Sequence, residues 1–269
     1  MPDRFLSDRT ALVTGATSGI GLAIAQALAG AGARIAICGL GSAEQIADAL
    51  ASIDAAGANG SKHYAADLRD ASAIETMMAE CAAWSRPDIL VNCAGIQHTA
   101  SLETMPAASW DAVIAINLSA AFHTMRLALP AMAANGFGRV VNIASVHGLV
   151  ASVNKTPYVA SKFGLVGLSK GAALEYAGAG SRASGGVTIN CVCPGWVETP
   201  LIEPQVQARQ AAVGGNRDDG VRALLAEKQP SGRMSLPSEI AELVVWLCRP
   251  AAHNLTGAAI PVDGGWTSQ

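Results

Sequence analysis

The amino-acid sequence predicts one α/β domain over residues 1–269, built on a doubly wound parallel sheet of about seven strands. Short apolar runs alternate with Ala-rich stretches of helical period along the whole chain, and no Pro-, Gly- or Ser-rich linker divides them. Hydrophobic residues make up 51% of the chain and charged residues 14%. This balance is typical of strands that are buried on both faces.

The expected elements follow one another in a regular βα order. We place the strands at 11–15, 34–38, 63–67, 88–92, 139–145, 187–193 and 258–263. Helices are expected at 20–32, 42–57, 72–84, 107–134, 158–177 and 238–248. Residues 177–186 are expected to form a surface loop. The segment at about 198–230 is polar and helical, is interrupted by GGNRDDG, and is expected to form a helical lid over the substrate.

The charge pattern excludes several classes of function. The net charge is -3 and no cluster of Lys and Arg is present, so neither nucleic acid nor an anionic membrane is an expected partner. The opening MPDRFLSDRT is polar, which predicts a cytoplasmic protein. The uncharged stretch 10–33 is rich in Gly, Ala, Thr and Ser, which favours a buried strand, turn and helix over a membrane span. Six cysteines in apolar contexts predict reduced thiols and no metal site.

A glycine-rich turn follows the first expected strand, where residues 14–21 read TGATSGIG. Gly15, Gly19 and Gly21 would allow the backbone to approach a pyrophosphate at the N-terminus of the next helix. The alternative is a plain tight turn, since the spacing differs from G-x-G-x-x-G. With a strand before it and a helix after it, the motif favours a Rossmann-type dinucleotide-binding fold.

Other polar residues follow strands whose carboxyl ends would meet at the same edge of the sheet. Asp67 and Leu68 follow the third strand, and Asn92 follows the fourth in the sequence NCAG. A carboxylate at Asp67 could accept a hydrogen bond from an adenine amino group, although a helix cap is an equal alternative. The second strand ends in Cys38-Gly39-Leu40-Gly41, which carries neither an acid nor a base. The absence of Arg and Lys there, together with Ser18, predicts NAD rather than NADP.

The chemistry is expected at Tyr158 and Lys162, which lie four residues apart on one face of a helix. A neighbouring ammonium would lower the pKa of the phenol from its usual value near about 10, so that Tyr158 could accept a proton. Ser145, at the end of the fifth strand, could hydrogen-bond the substrate oxygen. Asn117 could bend the long helix or hold a water molecule beside Lys162. Each residue alone has a structural alternative, but their order along the sheet edge favours an active site.

Together these motifs resemble the short-chain dehydrogenase/reductase family over the full chain: T-G-x-x-x-G-I-G, N-x-A-G, Asn117, Ser145, Y-x-x-x-K and Pro194-Gly195. The resemblance implies that Tyr158 is the acid/base, that Lys162 holds the nicotinamide ribose and lowers the Tyr158 pKa, and that Ser145 steadies the reacting oxygen. It implies that Asn117 completes a proton relay through water. Cys93, where the family usually has a second Asn, and the uncharged 39–41 segment depart from the pattern.

The resemblance also implies a set of cofactor contacts from the loops at the sheet edge. These residues are Gly15, Thr17, Ser18, Gly19, Ile20, Gly21, Leu40, Asp67, Leu68, Asn92, Ala94, Gly95, Tyr158, Lys162, Pro194, Gly195, Val197 and Thr199.

Polar and aromatic residues that follow the same strands suggest a small acidic substrate. The possible hydrogen-bond donors to a carboxylate are Gln97, His147, Lys155 and Gln205. Trp196 and Trp266 offer flat apolar walls. A solvated Lys155 and a purely structural His147 are the alternatives.

Longer runs resemble one branch of the family, the bacterial D-3-hydroxybutyrate dehydrogenases: AGIQH, S-x-HGLVAS-x-NK-x-x-Y, CPGWV-x-TPL, EKQPS and VDGGWT. This resemblance implies a substrate pair of 3-hydroxybutyrate and acetoacetate, held by the donors and walls named above with Ser145 and Tyr158 at the reacting oxygen. It also implies a homotetramer that pairs the long helices around Asn117 and Tyr158.

Three other functions are open from the sequence. A 3-oxoacyl-carrier-protein reductase would be expected to use NADPH and to carry a basic docking patch, and neither feature is visible in the sequence. A dinucleotide-sensing regulator without catalysis would usually lose Tyr158, Lys162 or Ser145, all of which are present. A purely structural oligomer-former would leave the convergent polar residues unexplained.

Overall fold

The computed structural model describes residues 4–268, which contain one seven-stranded parallel sheet. The strands are β1 Thr10–Thr14, β2 Arg34–Cys38, β3 Ser61–His63, β4 Ile89–Asn92, β5 Phe137–Ile143, β6 Gly186–Pro194 and β7 Ala259–Val262. Their order in the sheet is β3-β2-β1-β4-β5-β6-β7, and every neighbouring pair is parallel. The order reverses between β1 and β4, which opens a crevice at the carboxyl ends of the strands.

Helices cover both faces of the sheet. They are α1 Gly19–Gly30, α2 Ala43–Ala55, α3 Ala71–Trp84, α4 Ala107–Ile114, α5 Ala120–Ala134, α6 Thr156–Tyr176, α7 Glu203–Val213, α8 Arg217–Lys228 and α9 Pro237–Cys248. One core lies beneath α1, α2 and α9, and a second beneath α3, α5 and α6. Successive residues of β1 alternate between them, since Ala11 and Val13 join the first core and Leu12 joins the second.

The fold class expected from the sequence is confirmed, with two local differences. The third strand was expected at 63–67 but is only Ser61–His63, because the chain leaves the sheet after Tyr64 donates its backbone N–H to Ile37. Tyr64 is buried against α3, and this burial accounts for the apolar signal that suggested a longer strand. The long helix at 107–134 is interrupted by a π-helical segment, Ala115–Ser119, which the sequence did not reveal.

Two segments of low charge have different structures. The stretch 10–33 forms β1, a turn and α1, as the composition indicated. The helical span Ala107–Ala134 is long and apolar enough to cross a membrane by those two criteria alone, and 44% of its most apolar window is buried within the protein. A core helix of a globular protein also meets these criteria, so the span gives only weak evidence of membrane insertion.

The segment at 198–230 folds as a short 3-10 helix, Pro200–Ile202, followed by α7 and α8. These helices pack on a small core of their own, formed by Ile202, Val206 and Leu224. That this segment closes over the substrate stays a prediction.

Candidate active site

One large cavity of about 1110 Å³ lies at the carboxyl ends of the strands. It extends from the glycine turn before α1 to the C-terminal turn at Trp266. Most residues chosen from the sequence line it: Gly15, Thr17, Ser18, Gly19, Ile20, Gly21, Leu40, Asp67, Leu68, Ala94, Gly95, Gln97, Ser145, His147, Lys155, Tyr158, Lys162, Pro194, Gly195, Trp196, Val197, Thr199 and Trp266. Asn92, Asn117 and Gln205 are not among its lining residues.

The glycine turn is packed so tightly that side chains would not fit. A Cβ on Gly21 would lie 2.2 Å from the carbonyl oxygen of Gly15, and one on Gly15 would lie 2.7 Å from Cα of Ala94. Gly15 and Gly19 also have positive φ angles of 65° and 56°. Ser18, at the N-cap of α1, makes no side-chain capping bond, so the amides of the first turn are left for another acceptor. This turn fits the pyrophosphate of a dinucleotide.

The other end of the cofactor cleft is formed by residues after β2 and β3. Thr17 Oγ1 donates a hydrogen bond of 2.7 Å to the carbonyl oxygen of Leu40, whose side chain is 86% exposed. The Asp67 carboxylate accepts from the guanidinium of Arg69 at 2.7 Å, and this pairing lowers the pKa of Asp67 to about 2. Asp67 was expected to accept from an adenine amino group, but in this structure Arg69 occupies its carboxylate.

Asn92 does not reach the cavity with its side chain. Its amide nitrogen donates to Asn142 at 2.8 Å, and its oxygen accepts from Thr124 at 2.7 Å. Asn92 is the last residue of β4, and its side chain lies on the side of the sheet that α5 covers. The side chain therefore supports the buried strand ends, and a contact between Asn92 and the cofactor stays a prediction.

Tyr158, Ser145 and Lys162 come together at the centre of the cavity. The hydroxyl of Ser145 lowers the pKa of the nearby Tyr158 phenol, and it accepts the backbone N–H of His147 at 3.2 Å. Lys162 Nζ lies 5.6 Å from the centroid of the Tyr158 ring and donates at 2.8 Å to the carbonyl oxygen of Ile143. The three side chains expected to perform the chemistry are thus adjacent.

The charges at this centre differ from the expectation. Desolvation raises the pKa of Tyr158 to about 12 and lowers that of Lys162 to about 8. The sequence predicted that Lys162 lowers the pKa of the Tyr158 phenol. In the structure the ammonium is directed to the Ile143 carbonyl oxygen and faces the ring of Tyr158, and the cost of desolvating the phenolate is the larger effect.

Asn117 lies in the π-helical segment behind the cavity. Its side-chain oxygen accepts the backbone N–H of Ile96 at 2.9 Å, and its amide donates to the Ile96 carbonyl oxygen at 2.9 Å and to Ser161 at 3.2 Å. A Cβ on Gly95 would lie 3.5 Å from the Asn117 oxygen and 3.7 Å from Lys162 Nζ. Asn117 therefore fixes the loop after β4 beside Lys162, and its expected role in a water relay stays a prediction.

The substrate end of the cavity combines two indole rings with basic side chains. The ring centroids of Trp196 and Trp266 are 5.4 Å apart, and Lys155 Nζ lies 5.0 Å from the centroid of the Trp196 ring. His147 packs edge-on against Tyr158 and Trp266 at centroid distances of 6.0 and 5.5 Å. Desolvation, followed by the charge of Lys155, lowers the pKa of His147 to about 4, so this imidazole is neutral at pH 7.

The four predicted carboxylate donors are not all in place. Gln97 lines the cavity, but its amide donates to the carbonyl oxygen of Leu201 at 3.2 Å. Gln205, on α7, lies outside the lining residues, and its carbonyl oxygen is buried without a hydrogen-bond partner among the described residues. Lys155, His147 and Gln97 thus line one cavity and Gln205 does not, and their binding of a carboxylate stays a prediction.

The sequence analysis missed several residues of the lining, among them Arg69, Ile96, Leu201 and Ile202. Arg69 follows Asp67 by two residues, and this spacing could have suggested a local ion pair. Ile96, Leu201 and Ile202 carry no chemical signal, so only the folded loops show that they face the cavity. Among residues 4–268, no group of three or more His, Cys, Asp or Glu is arranged to hold a metal ion, and all six cysteines are free.

Comparison with known proteins assigns the family. The family model described as short chain dehydrogenase matches residues 9–210. The D-beta-hydroxybutyrate dehydrogenase of Cupriavidus necator is 49% identical over 267 residues, which cover 98% of this chain and 100% of that protein. The enzyme of the same name from Rhizobium meliloti is 42% identical over 262 residues, with coverages of 97% and 99%.

A solved structure gives the same result for the fold. Actinorhodin polyketide ketoreductase, crystallised with NADPH, superposes with a TM-score of 0.88 at 35% identity and full coverage of both chains. The glycine cradle fits the dinucleotide that this family uses, and the Tyr158 centre lies in the same cavity. The chain therefore belongs to the short-chain dehydrogenase family and is an oxidoreductase that works with a nicotinamide cofactor.

Proposed function

We propose that the protein oxidises (R)-3-hydroxybutyrate to acetoacetate with NAD and catalyses the reverse reaction. The observation that carries this proposal is Lys155, a half-buried ammonium at the substrate end of the cavity. Its nitrogen lies over the Trp196 ring, and within the described residues no carboxylate lies within 4.0 Å of it. A substrate carboxylate would supply the missing partner. The two relatives named D-beta-hydroxybutyrate dehydrogenase support the same substrate.

The apolar lining of the substrate end also favours a small acid. Trp196 and Trp266 close it on one side, and Ile202 and Leu201 contribute apolar contact from the segment before α7. This apolar surface suits a short carbon chain, while Lys155 binds the charged end.

The adenosine end of the cleft supports NAD over NADP. Leu40 is exposed where a base would contact a 2'-phosphate, and the charge of Arg69 is compensated by Asp67. The ketoreductase crystallised with NADPH shows that the same fold can bind the phosphorylated cofactor. The preference proposed here therefore depends on these local side chains and not on the fold.

In the proposed mechanism, Tyr158 accepts the hydroxyl proton of the substrate. A bound NAD would supply the acceptor for the hydride that leaves the carbon bearing the substrate hydroxyl, and it would bring the positive charge of its nicotinamide to the site. A positive charge is required beside Tyr158, because desolvation raises the pKa of this phenol to about 12. Ser145 donates its hydroxyl hydrogen to the substrate oxygen and orients it toward Tyr158. Lys162 is anchored on Ile143 at the same centre and holds the ribose that carries the nicotinamide.

The substrate carboxylate is held away from this centre by Lys155, with Gln97 as a neutral donor. Because its pKa is about 4, His147 is neutral at pH 7 and has a single N–H. Its Nδ1 lies 3.3 Å from the carbonyl oxygen of Val150, which can only accept, so Nδ1 carries the hydrogen and Nε2 is an acceptor. His147 therefore contributes a neutral wall of the pocket and does not donate to the carboxylate. Trp196 and Trp266 exclude water from the reacting carbon.

Self-association into a homotetramer in the cytoplasm is part of the same proposal. Phe122 on α5, Phe163 on α6 and Trp110 on α4 are exposed aromatic residues on adjacent helices. Their exposure supports pairing of these helices between copies of the chain.

The test of the function is a spectrophotometric assay of the purified protein. NADH formation is followed with D-3-hydroxybutyrate and NAD, with the L-isomer and NADP as controls. We expect turnover with the D-isomer and a higher kcat/KM with NAD than with NADP. No turnover of the D-isomer would contradict the substrate, and equal kcat/KM with both cofactors would contradict the NAD preference. Reduction of a 3-oxoacyl thioester with NADPH instead would favour a ketoacyl reductase.

A further inference from the structure

Three sequence runs of the chain meet at one buried side chain, Gln229. They are CPGW at 193–196, EKQPS at 227–231 and VDGGWT at 262–267. The first and last of these runs contain Trp196 and Trp266 of the cavity, but the middle run contributes no residue to the cavity lining. Gln229 caps the C-terminus of α8 and is only 3% exposed, so its burial calls for an explanation of its own.

The Gln229 side chain holds the backbone of Trp196. Its carbonyl oxygen accepts the Trp196 N–H at 3.0 Å, and its amide nitrogen donates to the carbonyl oxygen of Arg233. The carbonyl oxygen of Trp196 accepts from Ser235 N–H at 2.9 Å. Both backbone groups of Trp196 are therefore bound by the segment 229–235, which continues from α8.

The same segment is packed against the turn that carries Trp266. A Cβ on Gly195 would lie 2.7 Å from the Gln229 oxygen, and one on Gly264 would lie 2.8 Å from Gln229 Cγ. The buried carboxylate of Asp263 fixes this turn by accepting from Gly265 N–H at 3.0 Å and from Thr267 N–H at 2.8 Å. No space is left for Gln229 to move independently of the two neighbouring chain segments.

From these contacts we propose that Gln229 is a positioning residue for the substrate end of the cavity. Its carboxamide sets the place of Trp196 and couples that indole, together with the Lys155 ammonium above it, to helix α8. Gln229 acts through Trp196 and does not touch the substrate. The inference rests on the proposed function, since Trp196 is taken there as a wall of the substrate pocket.

Replacement of Gln229 by Met tests this role, because Met is similar in length and can make neither hydrogen bond. The variant leaves the buried N–H of Trp196 without an acceptor, which costs free energy. We expect the KM for D-3-hydroxybutyrate to rise about tenfold, which corresponds to about 1.4 kcal/mol, with the KM for NAD within twofold of wild type. Gln210→Met is the matched control, since its amide donates to Gly215 within the same helix pair and has no contact with Trp196.

A spectroscopic measurement tests the positioning without reference to turnover. The two indoles are close enough to couple in near-ultraviolet circular dichroism, and Trp196→Phe defines the part of the signal that Trp196 contributes. Gln229→Met is expected to lose at least half of that part, and Gln210→Met to retain it.

The outcomes separate this inference from the proposed function. Absence of turnover in the wild-type protein would overturn the substrate assignment, whereas the dichroism would still report on Gln229. A full Trp196 signal and an unchanged KM in Gln229→Met would overturn the positioning role. If Gln229→Met does not fold, Gln229→Ala takes its place: a full Trp196 signal in the folded Ala variant would overturn the positioning role, and loss of that signal would support it.

Discussion

Replacement of Lys155 by Met is the most informative change in the substrate end of the cavity. The ammonium contacts the Trp196 ring, and among residues 4–268 it has no carboxylate partner. A hydrogen bond to a charged group contributes about 1.5–3 kcal/mol. Loss of that contact with the substrate carboxylate should raise the KM for D-3-hydroxybutyrate by roughly tenfold to a hundredfold. Met retains the apolar stem, so the change is confined largely to the charge.

The same substitution should stabilise the free protein. Desolvation lowers the pKa of Lys155, which means that folding disfavours its charged form. This destabilisation is present below the folded-state pKa and is lost as the pH rises from that pKa toward the unfolded value of about 10.4. Lys155→Met should therefore have a higher Tm than wild type at pH 7, and the difference should shrink at alkaline pH.

Steady-state kinetics and thermal melts measure both effects. Lys170→Met is the control, because Lys170 lies on the same helix, donates to the Gly257 carbonyl oxygen and is exposed. The methyl ester of 3-hydroxybutyrate lacks the negative charge, so any turnover of it should depend little on Lys155. A KM for the acid within twofold of wild type in Lys155→Met would refute the carboxylate contact.

Two further predictions concern the cofactor turn and the buried imidazole. Gly21→Ala should weaken NADH binding on the order of tenfold or more, because its Cβ would lie 2.2 Å from the Gly15 carbonyl oxygen. Gly167→Ala is the control and should leave binding unchanged, because a Cβ there would have no atom within 4 Å. Equal NADH affinities of the two variants in a fluorescence titration would contradict the role of the glycine turn in cofactor binding. His147 has a folded-state pKa of about 4, below its usual 6.5, so the Tm of the wild-type protein should fall as the pH drops from 6.5 to 4. The Tm of His147→Gln should fall less over the same range. If the Tm of both proteins falls equally, His147 does not make this contribution.

The fold could be predicted from the sequence because its signals are local. Alternation of apolar runs and helical stretches sets the βα order, and the glycine turn marks the edge where ligands bind. The third strand was placed too far along the chain because Tyr64 is buried by α3 and not by the sheet. A residue that is buried against a helix and a residue that is paired in a strand both appear as apolar positions in the sequence.

The site could be predicted as a set of residues but not as a set of contacts. Tyr158 and Lys162 on α6 adjoin Ser145, which follows the end of β5 by two residues. The direction of the Tyr158 pKa could not be foreseen, since it depends on desolvation and on where Lys162 directs its ammonium. The sequence also did not show that the Asn92 side chain lies on the α5 side of the sheet, since this depends on which face of the sheet each residue of β4 occupies.

The positions of two glutamine side chains could not be predicted from the sequence either. Gln205 was expected in the pocket but lies outside its lining, and Gln229 was without a role until its contact with Trp196 was visible. An amide side chain is equally suited to surface, core and ligand contacts. Only the folded position distinguishes these uses.

Turnover by Tyr158→Phe tests the central claim of the account most directly. Loss of the phenolic hydroxyl removes the proton acceptor while the ring and the cavity remain, so kcat should fall by about 10²- to 10⁴-fold and NADH affinity should stay near the wild-type value. Tyr176→Phe, at the far end of α6, should keep full activity. A kcat for Tyr158→Phe within tenfold of wild type would contradict the assignment of Tyr158 as the residue that moves the proton.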